Sequence, residues 1–460
     1  MEKSVTMASY SASGSVSVRP YVTVQGQSSS VKELSGDDRW SARQVLIVAI
    51  CFMLNMLDGM DVLILSYIAP ALSVDWRISP ESLGVVFSAS LAGMAAGGLL
   101  VAPLADRFGR RKLILASLVM MAAAMFGSGL ASSITELLIS RFIVGIGIGT
   151  VLASMAALTA EYAPARHRTF AVGFLQAGYP VGATLTGFLV AQHIEAHGWQ
   201  AMLLGAATLC LLSIPLVFAF LPESVEFLLS RQPANALQRA NRLLVVIGRA
   251  PLEALPERKS AQAEHVGLRG LLSEGRAAST MLLWLAITFS FMTLYFVISW
   301  IPKLAVEAGL PAKDAIYAGA IFNIGAFVGI SLLSYVAMRF DLRRLILGYM
   351  LLAAVALVVF GAVSMPLAAT LLTAFLIGVF VQGGFNGCYP LATSLYPAEA
   401  RSTGIGWAMG IGRIGAVIGP MLGGFLLAEK VSLPVIFTVF AVPVVLAGFC
   451  ASLIRLPGQR

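Results

Sequence analysis

The feature that most constrains the fold of this chain is a succession of long apolar runs that carry almost no charge. Twelve such runs follow residue 40, and each approaches the roughly 20 residues that an α-helix needs to cross a bilayer. Hydrophobic residues make up 58% of the sequence and charged residues only 12%, whereas soluble domains are about 25% charged. The sequence therefore predicts an all-α membrane protein with twelve transmembrane helices. The runs lie near 45–70, 82–103, 113–131, 136–162, 168–193, 200–221, 279–301, 314–338, 344–363, 367–394, 403–428 and 432–455.

The polar segments between the runs divide the chain and indicate its orientation. We expect a disordered tail over 1–40, a six-helix bundle over 41–221, a central loop over 222–278, a second six-helix bundle over 279–455 and a short tail over 456–460. Of the 31 Lys and Arg residues, 25 fall in segments on the side of the N-terminus and 4 in segments on the opposite side. Positive charge marks the cytoplasmic side of membrane proteins, so both termini and the central loop are predicted to be cytoplasmic. This placement accounts for the net charge of +8 without a nucleic-acid partner.

Two carboxylates stand in the middle of the first apolar run. On insertion scales an acid at the centre of a membrane helix costs roughly 2.5–3.5 kcal/mol, and this helix carries both Asp58 and Asp61. They are three residues apart and therefore share one helix face, while Gly59 allows another backbone or a ligand to approach closely. We interpret at least one of them as a proton carrier, because burial and a nearby like charge both favour the protonated form. The alternative is a structural hydrogen-bonding group in an interior cavity.

The two halves of the sequence repeat each other. Residues 105–115 align without gaps on residues 337–347, and Gly145 matches Gly378 further along. Such repeats are typical of transporters whose halves move about a central site. The segment Leu-Ala-Asp-Arg-Phe-Gly-Arg-Arg-Lys over 104–112 resembles the signature loop of the major facilitator superfamily.

Within that superfamily the chain resembles the aromatic acid:proton symporter family, whose members include 4-hydroxybenzoate, protocatechuate and benzoate transporters. Asp-Gly-Met-Asp over 58–61 is similar to the D-G-x-D motif of that family, and the segments 141–145, 221–224, 299–302 and 410–415 agree with it. The resemblance covers about 40–455. It implies the major facilitator fold, a multi-pass location in the bacterial inner membrane and a part in aromatic hydrocarbon catabolism.

Two arginines lie inside apolar runs, Arg141 in the fourth and Arg413 in the eleventh. A cation buried in lipid needs a partner, and a planar guanidinium can bind a carboxylate through two hydrogen bonds. Arg141 either binds a substrate carboxylate or pairs with an acid of the first run. No acid lies in the apolar interior of the last six runs, so Arg413 is the preferred site for a substrate carboxylate. The alternative for Arg413 is to cap helix carbonyl groups at the cytoplasmic end of the bundle.

The signature loop is predicted to form the charge network of an inner gate, a role that is carried over from the superfamily. Glu161 ends the fourth run close to this loop. The resemblance suggests that Glu161 takes part in proton coupling, and the alternative is a gate salt bridge with Arg168 or Arg107. For the loop itself, the alternative is positive charge that only sets the orientation. The predicted gate residues are Asp106, Arg107, Gly109, Arg110 and Arg111, with Arg339 and Arg343 in the repeat.

Side chains of the seventh and tenth runs are further candidates for substrate contact. Tyr295, Phe296 and Trp300 provide rings that could stack on an aromatic substrate, although aromatic side chains in a bundle are more often plain packing. The tenth run carries a polar stripe of Gln382, Asn386 and Tyr389 at i, i+4 and i+7. A polar stripe on an apolar helix is expected to face a cavity, where it could bind a ring hydroxyl.

Together these features predict a proton-coupled importer of an aromatic carboxylate that works by alternating access. The protein is expected to bind no nucleic acid and to function as a monomer in the bilayer. No metal or cofactor site is expected, because the four cysteines lack metal-ligand spacing. An enzyme is not expected either, since no nucleophile–base pair can be recognised. Two alternatives are a proton antiporter that exports drugs or aromatic acids and a membrane receptor that binds aromatic acids without transport. Uptake under an inward proton gradient distinguishes the three.

Overall fold

The computed structural model describes residues 40–256, 271–273, 275–396 and 401–456, and these residues form helices and no strand. The predicted tail over 1–40 lies outside them except for Trp40, as do part of the predicted central loop and all but Leu456 of the C-terminal tail. The helices are α1 (Ala42–Trp76), α2 (Pro80–Ala96), α3 (Ala105–Phe108), α4 (Arg110–Gly129), α5 (Ile134–Tyr162), α6 (Arg168–Phe220), α7 (Val225–Arg231), α8 (Ala236–Val246), α9 (Ala277–Glu307), α10 (Ala312–Val336), α11 (Leu342–Ala362), α12 (Leu367–Ile377), α13 (Gly383–Leu395), α14 (Arg401–Ala428) and α15 (Leu433–Leu453). A π-helical turn at Gly97–Val101 extends α2, and another at Gly378–Gln382 joins α12 to α13.

Eleven helical segments of the described residues are long and apolar enough to cross a membrane. They coincide with the predicted runs except at α6, where two runs fall in one helix of 53 residues. At 1.5 Å per residue a straight helix of this length would measure about 80 Å, more than twice the apolar core of a bilayer, which is about 30 Å thick. Gly198 interrupts it with a non-helical φ of 76° and ψ of 170°. The predicted runs near 168–193 and 200–221 lie on either side of this residue.

Local sequence signals explain where several helices begin and end. The Ser41 side chain accepts a hydrogen bond from the Gln44 backbone N–H (3.2 Å), and the Gln44 side chain accepts one from the Ser41 N–H (2.9 Å). This capping box satisfies backbone donors that the first turn of α1 would leave free. Between α3 and α4, Gly109 has a φ of 103°, which favours glycine and turns the chain.

The helices run between two faces of the bundle. The near face is the one where α1 begins at Ala42 and α5 ends at Tyr162, and the far face is the one where α1 ends at Trp76 and α2 begins at Pro80. The short helix α3 and the central helices α7 and α8 pack at the near face. We call α1–α6 the N-terminal group and α9–α15 the C-terminal group.

Glycine allows equivalent helices to pack closely in the two groups. A methyl group on Gly145 of α5 would collide with the Ser90 carbonyl oxygen of α2, and one on Gly378 would collide with the Phe322 carbonyl oxygen of α10. Gly145 and Gly378 are the positions that the internal repeat aligns. Small residues permit this approach because no side chain separates the two backbones.

The two groups are joined at the far face and at the middle of the bundle. Ser66 of α1 donates to the carbonyl oxygens of Ile298 (2.7 Å) and Ser299 (2.9 Å) of α9. Ser88 of α2 donates to the Val417 carbonyl oxygen of α14 (2.7 Å), and Thr184 of α6 lies 3.4 Å from the Ala320 carbonyl oxygen of α10. These bonds close the bundle on the far side of its centre.

Candidate functional site

A cavity of about 100 Å³ lies between the two groups at mid-depth. It is lined by residues of α1, α2, α5 and α6 on one side and of α9, α10, α13, α14 and the second π-helical turn on the other. An engineered cavity of about 150 Å³ is known to hold benzene. The space therefore suits a single aromatic ring once its walls adjust slightly.

Asp58 and Asp61 have different surroundings although they share α1. Asp58 is 3% exposed and lines the central cavity, where its Oδ2 atom has no hydrogen-bond partner. Asp61 is 1% exposed and lies in a separate narrow space beside Phe87 and Ser90. The two acids therefore lie in different environments.

Arg141 pairs with Asp61 and does not line the central cavity. Its Nη2 atom donates to Asp61 Oδ1 at 2.5 Å, and both side chains are 1% exposed. The remaining polar atoms of the pair, Arg141 Nε and Nη1 and Asp61 Oδ2, have no hydrogen-bond partner. Of the two roles proposed for Arg141, the structure has the ion pair with the first helix.

Arg413 lies on the wall of the central cavity and forms no ion pair with any residue that the structure describes. Its Nη1 atom is 3.6 Å from Met94 Sδ of the opposite group, and its guanidinium carbon lies 6.0 Å from the centre of the Phe291 ring. These are weak partners for a cation, and Asp58 lines the same cavity. The arginine is thus available to an anion that enters the cavity.

The aromatic residues of α9 divide between the cavity and the packed core. Tyr295 and Phe291 line the cavity. Phe296 instead stacks on Phe440 with ring centres 3.6 Å apart, and the fully buried Trp300 donates through Nε1 to the Pro420 carbonyl oxygen at 3.0 Å. Successive residues of a helix point about 100° apart. Phe296 and Trp300 therefore point away from the cavity and pack in the core, and they do not line the cavity as predicted.

The predicted polar stripe does face the cavity. Gln382, Asn386 and Tyr389 all line it. Asn386 donates through Nδ2 to the Gln382 backbone carbonyl oxygen at 2.9 Å, whereas the side-chain oxygen of Gln382 has no partner. The stripe thus contains one buried acceptor that has no partner among the described residues.

The lining also includes residues that were not among the predicted site residues, such as Asn55, Gln176, Tyr179 and Phe385. Asn55 precedes Asp58 by three positions and Gln176 precedes Tyr179 by three, so a search for polar residues at helical spacing would have found both pairs. Phe385 is one aromatic residue among many in apolar runs, and no sequence pattern singles it out. The Tyr179 hydroxyl is buried and has no hydrogen-bond partner.

Glu161 belongs to a charge cluster at the near face and does not reach the cavity. Its partner is Arg110 (2.9 Å), whereas the predicted partners were Arg168 or Arg107. Glu161 also accepts hydrogen bonds from the Ser224 hydroxyl (2.7 Å) and the backbone N–H of Glu226 (2.9 Å), so it ties α5 to the start of α7. Glu161 therefore forms a salt bridge, as the alternative prediction stated, but its partner is a different arginine.

Other residues of the signature loop also contact the central helices. The Arg111 backbone N–H donates to Glu223 Oε1 at 3.0 Å. A side chain at Gly109 would occupy the position of that same carboxylate. The backbone carbonyl of Asp106 accepts a hydrogen bond from Arg231 Nε at 2.8 Å, while Arg107 lies exposed. These contacts join the loop to the chain that follows α6.

The equivalent loop of the C-terminal group is simpler. Arg343 pairs with the nearby Asp341 at 3.1 Å and donates to the Ile454 carbonyl oxygen at 2.9 Å. Hydrogen bonds from Arg343 hold the pKa of Asp341 below its usual value. Arg339 is exposed. Among the described residues, the predicted gate residues therefore make more side-chain contacts in the N-terminal group.

Gly59 holds α1 against α6 next to Asp58, and this contact gives a prediction. A methyl group at Gly59 would collide with the Tyr179 backbone carbonyl oxygen, which a helix cannot easily move. We expect Gly59→Ala to lower the free energy of unfolding by about 1–3 kcal/mol, the usual effect of overpacking. Thermal unfolding of the purified protein measures this. Gly205→Ala is the control, because its methyl group would meet no atom within 4 Å; equal stability of the two variants would contradict the prediction.

A helical bundle with two repeated groups and a central cavity, lined by a buried carboxyl group and by an arginine without an ion pair to a described residue, is typical of secondary transporters. The sequence model of the Major Facilitator Superfamily matches residues 51–333 and 283–459. The chain is 33% identical over 404 residues to a gallate transporter of Pseudomonas putida, with 88% of this chain and 90% of that protein covered. It is 32% identical over 433 residues to the 4-hydroxybenzoate transporter PcaK of Acinetobacter baylyi, with 92% and 94% covered.

Among solved structures, the fold is similar to the partially occluded inward open conformation of the xylose transporter XylE from E. coli. The TM-score is 0.73 and the identity 19%, over 91% of this chain and 100% of that chain. The chain belongs to the Major Facilitator Superfamily and, within it, to the aromatic acid:proton symporter family. It is a multi-pass protein of the bacterial inner membrane and not an enzyme.

Proposed function

We propose that this protein imports an aromatic carboxylate together with protons by alternating access. The observation that carries the proposal is the shared cavity of Asp58 and Arg413, in which Arg413 forms no ion pair with a described residue. Aromatic side chains also line this cavity. Relatives that align with most of the chain are named as transporters of gallate, 4-hydroxybenzoate and benzoate. We also propose that the protein functions as a monomer.

We propose twelve spans with both termini in the cytoplasm. In this arrangement α6 comprises two spans that meet at Gly198, and the near face, which carries most of the basic residues, is the cytoplasmic face. The helical groups over 41–221 and 279–455 are then the two moving halves. In this orientation the hydrogen bonds between the groups at the far face would close the cavity to the outside.

Arg413 would bind the substrate carboxylate, and Asp58 would carry the coupled proton. An ionised Asp58 places a negative charge in the same cavity, where it attracts Arg413 and repels an incoming carboxylate. Protonation of Asp58 removes that repulsion and leaves Arg413 free for the substrate. Proton and substrate therefore bind together, as symport requires, because each favours the binding of the other.

Asp61 and Arg141 would serve a different purpose. Their mutual ion pair satisfies two charges that lie outside the substrate cavity. We propose that this pair holds α1 against α5 and that Asp61 is not the group that meets the substrate. The cluster of Arg110 and Glu161 would hold the near face of the N-terminal group to α7 as the two halves move.

The number of protons determines which gradients drive uptake. A pH difference of one unit supplies about 1.4 kcal/mol per proton, and a potential of 100 mV supplies about 2.3 kcal/mol per charge moved. One proton with one monoanion is electroneutral and uses only the pH difference. With Asp61 held by Arg141, we propose this electroneutral stoichiometry, so uptake should respond to the pH gradient and not to the potential.

Asp58→Asn tests the proposed coupling. Asparagine resembles the protonated acid but cannot release a proton. Under a pH difference of one unit, which supplies about 1.4 kcal/mol per proton, the accumulation of substrate by the variant should therefore be about 10-fold or more below that of wild type. It should still exchange labelled for unlabelled 4-hydroxybenzoate across the membrane of liposomes without a gradient.

Asp75→Asn is the matched control for this experiment. Asp75 lies on the same helix but bonds Trp199 away from the cavity, so its loss should leave accumulation intact. Normal accumulation by Asp58→Asn would refute the coupling role. Depletion of substrate from wild-type vesicles under an inward proton gradient would instead favour an antiporter.

A further inference from the structure

The side chain of Gln382 holds the only permanent acceptor among the unpartnered buried polar atoms that line the central cavity in the described residues. Those atoms are Asp58 Oδ2, Tyr179 Oη and Gln382 Oε1. A hydroxyl group can donate or accept, and a carboxyl group donates once it is protonated. We propose that Gln382 selects substrates that carry a hydrogen-bond donor on the aromatic ring. This inference rests on the proposed function and names a specificity-determining residue for it.

The local fold leaves the Gln382 side chain free for a ligand. Its backbone carbonyl accepts a hydrogen bond from the Asn386 amide at 2.9 Å, whereas its side-chain oxygen is buried and has no partner among the described residues. Gln382 ends a π-helical turn, Gly378–Gln382, and such turns are frequent at functional sites because they change the direction of side chains within a helix. A buried carbonyl oxygen without a donor is unfavourable, and a water molecule or a ligand must supply the donor.

The two ends of a bound aromatic acid would meet opposite chemistry. The guanidinium of Arg413 has only donors, so it suits the carboxylate, which has only acceptors when ionised. An ionised carboxylate has no hydrogen to donate, so it cannot form a hydrogen bond with Gln382 Oε1. The ring can lie along Phe291, whose centre is 6.0 Å from the Arg413 guanidinium and 4.6 Å from the Phe385 ring. Phe385 follows Gln382 by three residues, so a ring held there places a substituent within reach of the Gln382 oxygen.

A ligand that enters this cavity displaces water from Gln382. A ring hydroxyl or amino group replaces the lost donor, whereas a hydrogen or fluorine atom does not. The cavity is small, about 100 Å³, so a bound ring fills much of the space beside Gln382. Discrimination should therefore depend on the presence of a donor and not on the size of the substituent.

A pair of glutamine variants tests the proposal. Gln382→Met keeps the length of the side chain but removes the acceptor. We expect it to raise the KM for the preferred hydroxybenzoate about 10-fold while the KM for benzoate stays within about 2-fold, since the loss of one hydrogen bond corresponds to roughly that factor. Gln238→Met is the matched control, because Gln238 is exposed on α8 and does not line the cavity, so its loss should leave both KM values unchanged.

A ligand series on the wild-type protein tests the same point without any variant. Benzoates with a hydroxyl, an amino group or a fluorine atom at each ring position are compared by inhibition of labelled uptake in liposomes. We expect the hydroxyl and amino compounds at one position to inhibit about 10-fold more strongly than the fluoro compound and benzoate. Equal inhibition by all four compounds, or an unchanged KM ratio in Gln382→Met, would overturn the role of Gln382. Absence of any aromatic acid uptake by wild type would overturn the proposed function itself.

Discussion

Replacing Arg141 with leucine should remove most folded protein from the membrane. The substitution leaves Asp61, which is 1% exposed, without a cation in the interior of the bundle. Breaking a buried ion pair by the loss of one partner costs about 3–5 kcal/mol, a large part of the 5–15 kcal/mol or so that stabilises a typical protein. Size-exclusion chromatography of the detergent-solubilised, fluorescently tagged protein measures the folded fraction.

The double variant Asp61→Leu/Arg141→Leu is the decisive control for this expectation. It removes both charges, and apolar replacements of a whole buried pair are often neutral or stabilising. The double variant should therefore recover most of the folded protein that the single variant loses. If Arg141→Leu alone folds as well as wild type, the pair does not have the structural role that its burial implies.

The sequence could not decide between the two buried arginines. Arg141 and Arg413 both lie in glycine-containing apolar runs, and each has the chemistry to bind a carboxylate. Only the three-dimensional arrangement brings Arg141 within 2.5 Å of Asp61 and places Arg413 on the cavity wall. The absence of an acid in the last six runs was the useful signal, because it left Arg413 without a partner inside its own group.

The membrane-crossing runs were predictable because length and hydropathy alone determine whether a helix can span a bilayer. The faces of those helices were harder to assign. In α9, Tyr295 and Phe296 are neighbours in sequence, yet one lines the cavity and the other stacks on Phe440. A helix surrounded by protein on most sides is apolar all round, so its sequence gives little indication of which face meets a cavity.

The partner of Glu161 was uncertain for a related reason. Several arginines of the near face are close in sequence, and a charge pattern cannot tell which of them a carboxylate reaches. The structure selects Arg110, whose side chain also contacts Glu226 at 3.2 Å. The serine and the backbone N–H at the start of α7 complete the site of Glu161, and both come from a segment that sequence analysis treated only as a loop.

Replacing Arg413 with leucine should leave the protein folded but unable to bind its substrate. Arg413 forms no ion pair with a described residue, so its removal leaves no described carboxylate without its partner. The removal of Arg141, in contrast, leaves Asp61 without one. A charge-assisted hydrogen bond contributes about 1.5–3 kcal/mol, and two such bonds to a carboxylate predict a loss of affinity of about 100-fold or more. Isothermal titration of the purified protein with 4-hydroxybenzoate at a pH that keeps the ligand ionised measures the change.

Arg413→Lys separates the contribution of the charge from that of the planar guanidinium. Lysine keeps the positive charge but cannot form the two parallel hydrogen bonds, so this variant should bind with an affinity between those of wild type and Arg413→Leu. The unfolding temperature without ligand should be similar for all three proteins, since Met94 and the Phe291 ring are weak partners. Binding by Arg413→Leu within a few-fold of wild type would move the carboxylate site away from α14. Arg141 already pairs with Asp61, so the cavity would then have to hold the substrate carboxylate without a cationic partner. Burial of an unpaired carboxylate has a high cost in free energy.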